Sequence, residues 1–127
     1  MLANTRVLVV EDEHVNRLVI TKLLEVIGAM ADVVNNGAEA LEAVQTRSYD
    51  LVLMDCHMPV LDGFEATRAI RELTGAPTSN RVPIVALTAD SKFADAQRCW
   101  MAGMDDHLNK PVDRIQLAQT LERWVAV

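Results

Sequence analysis

The chain has 127 residues, half hydrophobic and 24% charged, a length and mix that fit one globular domain and exclude a disordered segment. Twelve Lys and Arg stand against eighteen Asp and Glu, and the net charge of −6 speaks against a nucleic-acid or anionic-membrane surface. Five aromatic residues leave little for stacking bases, and no apolar run nears the roughly 18–20 residues that cross a bilayer.

Arg6–Val10 is a continuous apolar run that stops at Glu11-Asp12-Glu13, which predicts a buried strand. Over His14–Ile27, Val15, Leu18, Val19, Leu23, Val26 and Ile27 recur at steps of mostly three and four. That is a helical period, with Gly28 as its stop. Met30–Val34 predicts a second strand closed by Asn35-Asn36-Gly37, and Ala38–Arg47 a helix built on Ala40, Leu41 and Val44. Asp50–Met54 is the third apolar run and ends at Asp55. The turn residues of Met58–Gly63 predict a loop, and Phe64–Leu73 a third helix. After the polar connector Thr74–Arg81 comes a fourth strand, Val82–Leu87, where Pro83 is admissible only near the start. Ser91–Met101 predicts a helix with Gly103 past its end, and Met104–Leu108 a fifth strand. Val112–Val125 predicts a last helix with Ile115, Ala118, Leu121 and Val125 on one face. Five strands, each followed by a helix, imply a doubly wound α/β fold, a parallel sheet with helices on both faces. No repeat or internal boundary divides residues 1–127, which read as a single soluble, cytoplasmic domain without a signal peptide.

In an open parallel sheet, ligands bind outside the carboxyl ends of the strands. Here those ends carry Glu11 and Asp12, Asp55, Thr88 and Lys110. A helix cap or a solvated loop explains any one of them alone, but their joint placement points to a site. Three converging carboxylates repel unless a cation joins them. Mg²⁺, which takes oxygen ligands at about 2.0–2.1 Å, answers that need, and no Cys or His stands at zinc spacing. A metal held beside an ammonium and a hydroxyl makes a clamp for phosphoryl oxygens, with Asp55 as a carboxylate nucleophile.

Four segments carry a family resemblance: Val7–Asp12, Leu53–Gly63, Pro83–Ala89 and Ala102–Pro111. In order and spacing they resemble a response-regulator receiver domain, over Val7 to Trp124. The resemblance implies a flavodoxin-like fold with strand order 2-1-3-4-5 and five helices. It implies that Asp55 accepts a phosphoryl group from a phosphohistidine and that Glu11, Asp12, Asp55 and the His57 carbonyl hold Mg²⁺. Thr88 would turn onto the phosphoryl oxygen, Lys110 would bind it, and the Lys110–Pro111 bond would be cis. The run Asp62–Arg71 with Gly103–Asp106 resembles receivers of hybrid sensor histidine kinases. The implied partners are a histidine kinase domain and a histidine phosphotransfer domain, met through Val15, Leu18 and Lys22 on the first helix. Neither nucleic acid nor membrane is expected as a partner, and the domain is expected to be a monomer. The alternative is a free-standing regulator that acts by binding a protein target.

Some positions depart from the family pattern or stay open. His107 replaces the usual Tyr or Phe of the switch, which predicts output that is weak or pH-dependent; a merely solvated histidine is the alternative. Asp90 either orients water at the phosphoryl group or caps the next helix. Phe93 and Trp100 are core or partner-binding surface. Cys56 reads as a small buried residue without a redox role, and with Cys99 as a reduced thiol. Met30, Met54, Met58, Met101 and Met104 read as core filler. An aspartyl-phosphate phosphatase of the haloacid dehalogenase type would need Asp-x-Asp where this chain has Asp55-Cys56-His57. Glycines at 28, 37, 63, 75 and 103 form no G-x-G-x-x-G or P-loop, so a nucleotide fold is unsupported.

Overall fold

A computed structural model describes residues 4–58, 60–89 and 93–125, with the side chains of 93–96 excepted. Five strands and five helices alternate among them: β1 (Arg6–Val10), α1 (His14–Ile27), β2 (Met30–Val34), α2 (Gly37–Thr46) and β3 (Leu51–Asp55). The second half is α3 (Gly63–Glu72), β4 (Ile84–Thr88), α4 (Phe93–Ala102), β5 (Asp106–Asn109) and α5 (Arg114–Trp124). The sheet runs β2-β1-β3-β4-β5 and every pairing is parallel.

Side chains in a strand alternate between faces, and that alternation builds two cores. Leu8, Val10, Val52, Met54, Ile84 and Ala86 pack with residues of α2, α3 and α4. Val7, Val9, Leu51, Leu53, Val85 and Leu87 pack with Ile20 and Leu24 of α1 and Leu117 and Leu121 of α5. Burial on both faces is why β1, β3 and β4 read as unbroken apolar runs.

Acidic and amide side chains start the helices by accepting from orphan N–H groups. Glu13 accepts from Asn16 N at 2.7 Å, Asn36 from Glu39 N at 2.9 Å, Asp62 from Glu65 N at 2.9 Å and Asp113 from Gln116 N at 3.2 Å. Gly28 ends α1 at φ 103°, the left-handed conformation that favours glycine.

Several ends shift by one residue, and β4, β5 and α5 start two residues later than the sequence reading, each where a buried apolar residue belongs to a turn. Val82 donates its N–H to Ser79 O, so β4 begins after Pro83. Met104 N donates to Cys99 O within the cap of α4, and β5 starts at Asp106. Val112 is buried but precedes the cap Asp113, so α5 starts at Arg114. Burial and secondary structure are separate properties, and an apolar run records only the first.

Exposure then sorts the apolar residues of the helices. The buried residues of α1 are Ile20 and Leu24, while Val15, Leu18, Val19 and Val26 are exposed. The helix is apolar around more of its surface than one core-facing stripe requires. Ile115 is 60% exposed, and α5 buries Leu117, Thr120 and Leu121 instead. Met30 and Met101 are exposed as well, so they are not core filler; Met54, Met58 and Met104 are buried.

Candidate phosphoryl-acceptor site

The carboxyl ends of β1 and β3 lie side by side, with Val10 registered against Met54. The next residues, Glu11 and Asp55, are therefore neighbours. One carboxylate oxygen each from Glu11, Asp12 and Asp55 lies within 4.8 Å of the others. Glu11 is fully buried and Asp55 nearly so, while Asp12 reaches solvent.

Lys110 comes to this cluster from the loop after β5. Its Nζ lies 2.9 Å from Glu11 Oε1 and 3.1 Å from Asp55 Oδ1. Lys110 N donates to Thr88 O at 2.8 Å, which ties that loop to the end of β4. The Lys110–Pro111 bond is cis. Thr88 is buried one residue past Leu87, the register partner of Asp55.

Backbone donors complete the frame. His57 N donates to Asp55 Oδ1 at 3.2 Å, and Glu13 N donates to Glu11 Oε2 at 3.1 Å. Gly63 closes the β3–α3 loop by donating to Cys56 O at 3.1 Å. A Cβ at this glycine would fall 2.2 Å from the Asp55 carbonyl oxygen, so the close approach requires glycine. The His57 side chain is exposed and meets the Phe64 ring edge-on at a centroid distance of 6.0 Å.

Charge at the site is unbalanced. Burial and a hydrogen bond with Asp55 push the Glu11 carboxyl above its ordinary pKa, against the pull of Lys110 and Glu13 N. Burial lowers the Lys110 ammonium, but Glu11 and Asp55 more than offset it and the net shift is upward. Glu11 Oε1 makes no hydrogen bond, although Lys110 Nζ is close enough for an ion pair. A buried carboxylate oxygen that meets only an ion-pair partner, beside two further carboxylates, is a hard-oxygen donor set, and it fits a small divalent cation.

The structure thus gathers Glu11, Asp12, Asp55, His57, Thr88 and Lys110 at the strand ends. His107 is elsewhere on β5, exposed, and lines a cleft with Cys99 and Trp100. Val15, Leu18 and Lys22 are exposed on α1. Trp100 is 75% exposed, which makes it surface rather than core. Asp90, Pro59 and the Phe93 side chain lie outside the described residues. Sequence reasoning missed the contact between Cys56 and Cys99 and the clamp formed by Arg71. Both join residues more than thirty positions apart, and no local pattern marks them.

The chain matches the response regulator receiver domain family over residues 7–122. It belongs to that family. This receiver is 50% identical over 115 residues to hybrid signal transduction histidine kinase B of Dictyostelium discoideum, covering 84% of the chain and 6% of that protein. It is 43% identical over 122 residues to sensor histidine kinase GacS of Pseudomonas protegens, covering 96% of the chain and 13% of that protein. The receiver thus spans only a small fraction of the length of these relatives. Among solved structures, the receiver domain of sensor histidine kinase PA1611 from Pseudomonas aeruginosa matches at TM-score 0.87 and 43% identity. That match covers 96% of this receiver and 98% of the other, whose active-site cleft holds a coordinated magnesium ion. The receiver of Saccharomyces cerevisiae Ssk1, crystallised with the histidine phosphotransfer protein Ypd1, matches at TM-score 0.86 and 29% identity. Coverage there is 98% of this receiver and 91% of that chain. No described helix is long and apolar enough to cross a membrane.

Proposed function

We propose that this receiver accepts a phosphoryl group on Asp55 from a phosphohistidine of a partner protein, with Mg²⁺ as cofactor, within a two-component phosphorelay. One observation carries the reading: Lys110 Nζ touches both Glu11 and Asp55 inside a cluster of three carboxylates. Glu11, Asp12, Asp55 and the His57 carbonyl would hold the magnesium ion, the group found in the cleft of the PA1611 receiver. When bound, that ion neutralises the clustered charge and draws electron density from the phosphoryl oxygens.

The chain's own residues supply the rest. Lys110 Nζ and His57 N both contact Asp55 Oδ1, which orients the carboxylate and leaves Oδ2 as the attacking atom. An O–P bond forms at Asp55 as the N–P bond of the donor breaks, and the donor imidazole keeps the electron pair. Lys110 then pairs with the phosphoryl oxygens, and the Thr88 hydroxyl turns toward them. The added charge, about −1.5 to −2, biases the β4 end and α4, with Thr88 and His107 as the responding pair.

The relatives support a place within a hybrid sensor histidine kinase. The Ypd1–Ssk1 complex supports a histidine phosphotransfer protein as partner. Exposed Val15 and Leu18, with Lys22 nearby on α1, form the surface assigned to that contact.

The test is Mg²⁺-dependent incorporation of label from acetyl phosphate. Wild type takes up label that is lost with chelator, and Asp55→Asn takes up none. Label retained by the variant would place the acceptor elsewhere.

A further inference from the structure

Cys56 and Cys99 are nucleophilic groups that the phosphoryl reaction does not use. Cys56 follows Asp55 directly and is fully buried, and Cys99 on α4 is 5% exposed. Their Sγ atoms lie 3.7 Å apart, in contact, although 43 residues separate them in the chain. Cys99 also lines a cleft of about 120 Å³ together with Trp100, Met104 and His107. Of these, Trp100 is 75% exposed. Cys99 therefore borders a cleft while Cys56 is held against it from the core.

We propose that Cys56 and Cys99 are a redox modification site, which a peroxide-class oxidant converts to an intramolecular disulfide tying α4 to the end of β3. Cys99 gives its proton to solvent, and the thiolate attacks the O–O bond of hydrogen peroxide. The products are a sulfenic acid and hydroxide, which takes up a proton to become water. The Cys56 sulfur then attacks the sulfenic sulfur, loses its proton and expels a second water. Two thiols and one peroxide thus give one disulfide and two waters. Burial disfavours the thiolate, so the reaction runs over minutes to hours. A disulfide needs its sulfurs about 2.05 Å apart, so they must close by roughly 1.7 Å. The exposed Trp100 and Met101 leave the outer side of α4 open to solvent.

The disulfide also reaches the acceptor. Cys56 N donates to Leu87 O at 3.2 Å and Cys56 O accepts from Gly63 N at 3.1 Å. A pull on Cys56 is therefore transmitted to the backbone of Asp55 and to the residue before Thr88. This coupling, unlike the disulfide itself, rests on the function proposed above.

The experiment treats the reduced chain with a slight excess of hydrogen peroxide. The expected product has no free thiol, a mass lower by about 2 Da, monomeric size and a Cys56–Cys99 cross-linked peptide that dithiothreitol releases. Cys99→Ser forms no cross-link, and Cys56→Ser leaves a sulfenic acid on Cys99 that dimedone traps. Unreacted thiols, a disulfide between two chains or oxygen added to one sulfur without a cross-link would overturn the site. Labelling of Asp55 from acetyl phosphate is expected to slow several-fold in the oxidised chain and to recover on reduction. Equal labelling in a fully cross-linked chain would overturn the coupling. Absence of label in the reduced chain would instead count against the phosphoryl-acceptor function and leave the cysteine pair standing.

Discussion

The two rims of the sheet treat charge in opposite ways. Where the strands begin, polar groups are saturated. Arg71 donates to Gly103 O from Nε and Nη2, to Asn80 O and Val82 O from Nη1, and to Asp105 Oδ2 from Nη2. Asp105 Oδ2 also accepts from Ile84 N at 2.9 Å. Across the sheet on edge strand β2, Asp32 takes the Tyr49 hydroxyl at 2.8 Å and pairs with Arg6 and Arg47 at 3.6 Å each. Where the strands end, three carboxylates cluster about one ammonium, that of Lys110, which pairs with Glu11 and Asp55. A network with every group satisfied holds a fold together. One left short of positive charge is ready to take a cation and a phosphoryl group, and stability is what it gives up.

That contrast predicts where substitutions hurt. The largest loss belongs to Arg71→Ala, which strands the carbonyls of Gly103, Asn80 and Val82 and leaves Asp105 without its ion-pair partner. Stability falls by about 3 kcal/mol, read by urea unfolding, while labelling of the remaining folded protein stays near wild type. A loss under about 1 kcal/mol would mean the starting rim is not the structural one.

Next in size is a pH effect at Tyr49. Burial, then the hydrogen bond and charge of Asp32, push its phenol up to about 12. The folded pKa exceeds the unfolded value of about 10, so folding favours the protonated form. Its contribution is complete below about pH 10 and is lost as pH rises from there toward about 12; it amounts to about 3 kcal/mol at most. Tyr49→Phe is expected to lose about 1 kcal/mol at pH 7 and to show a shallower fall of stability between pH 10 and 12. Parallel curves for the two proteins in that window would detach Tyr49 from Asp32.

The saturated rim was the illegible one. Strand runs such as Arg6–Val10 and the carboxylates at their ends are visible because burial on two faces and strand termini leave local marks in a sequence. Arg71 looks like any solvated helix arginine until the turns at Gly103 and Val82 fold beside it. Asp106, one of several acids in its stretch, accepts from Trp124 Nε1 at 2.8 Å across 18 residues, which no periodicity announces. Val82, Met104 and Val112 misplaced strand and helix starts because turns bury apolar residues too. On α1, periodicity alone marks a helix without separating the buried Ile20 and Leu24 from the exposed Val15, Leu18, Val19 and Val26.

The sharpest test of the comparison is a substitution with the opposite sign. Glu11→Gln keeps the shape of a fully buried side chain but removes one of the three carboxylate charges. Lys110 is then left with Asp55 as a one-to-one buried pair, and the Asp55 repulsion that adds to burial in raising the Glu11 carboxyl disappears. In chelator, the variant is expected to be more stable than wild type by about 1 kcal/mol, measured by urea unfolding at pH 7. Added Mg²⁺ should reverse the order, because the ion compensates the wild-type charge and finds a weaker donor set in the variant. Calorimetric titration should show at least about tenfold weaker Mg²⁺ binding, and Asp55 labelling should fall with it. A destabilised Glu11→Gln in chelator would show that the carboxylates were already balanced by Lys110 and the backbone donors. In that case the two rims would not differ in kind, because charge shortage would no longer distinguish the end that reacts from the end that holds.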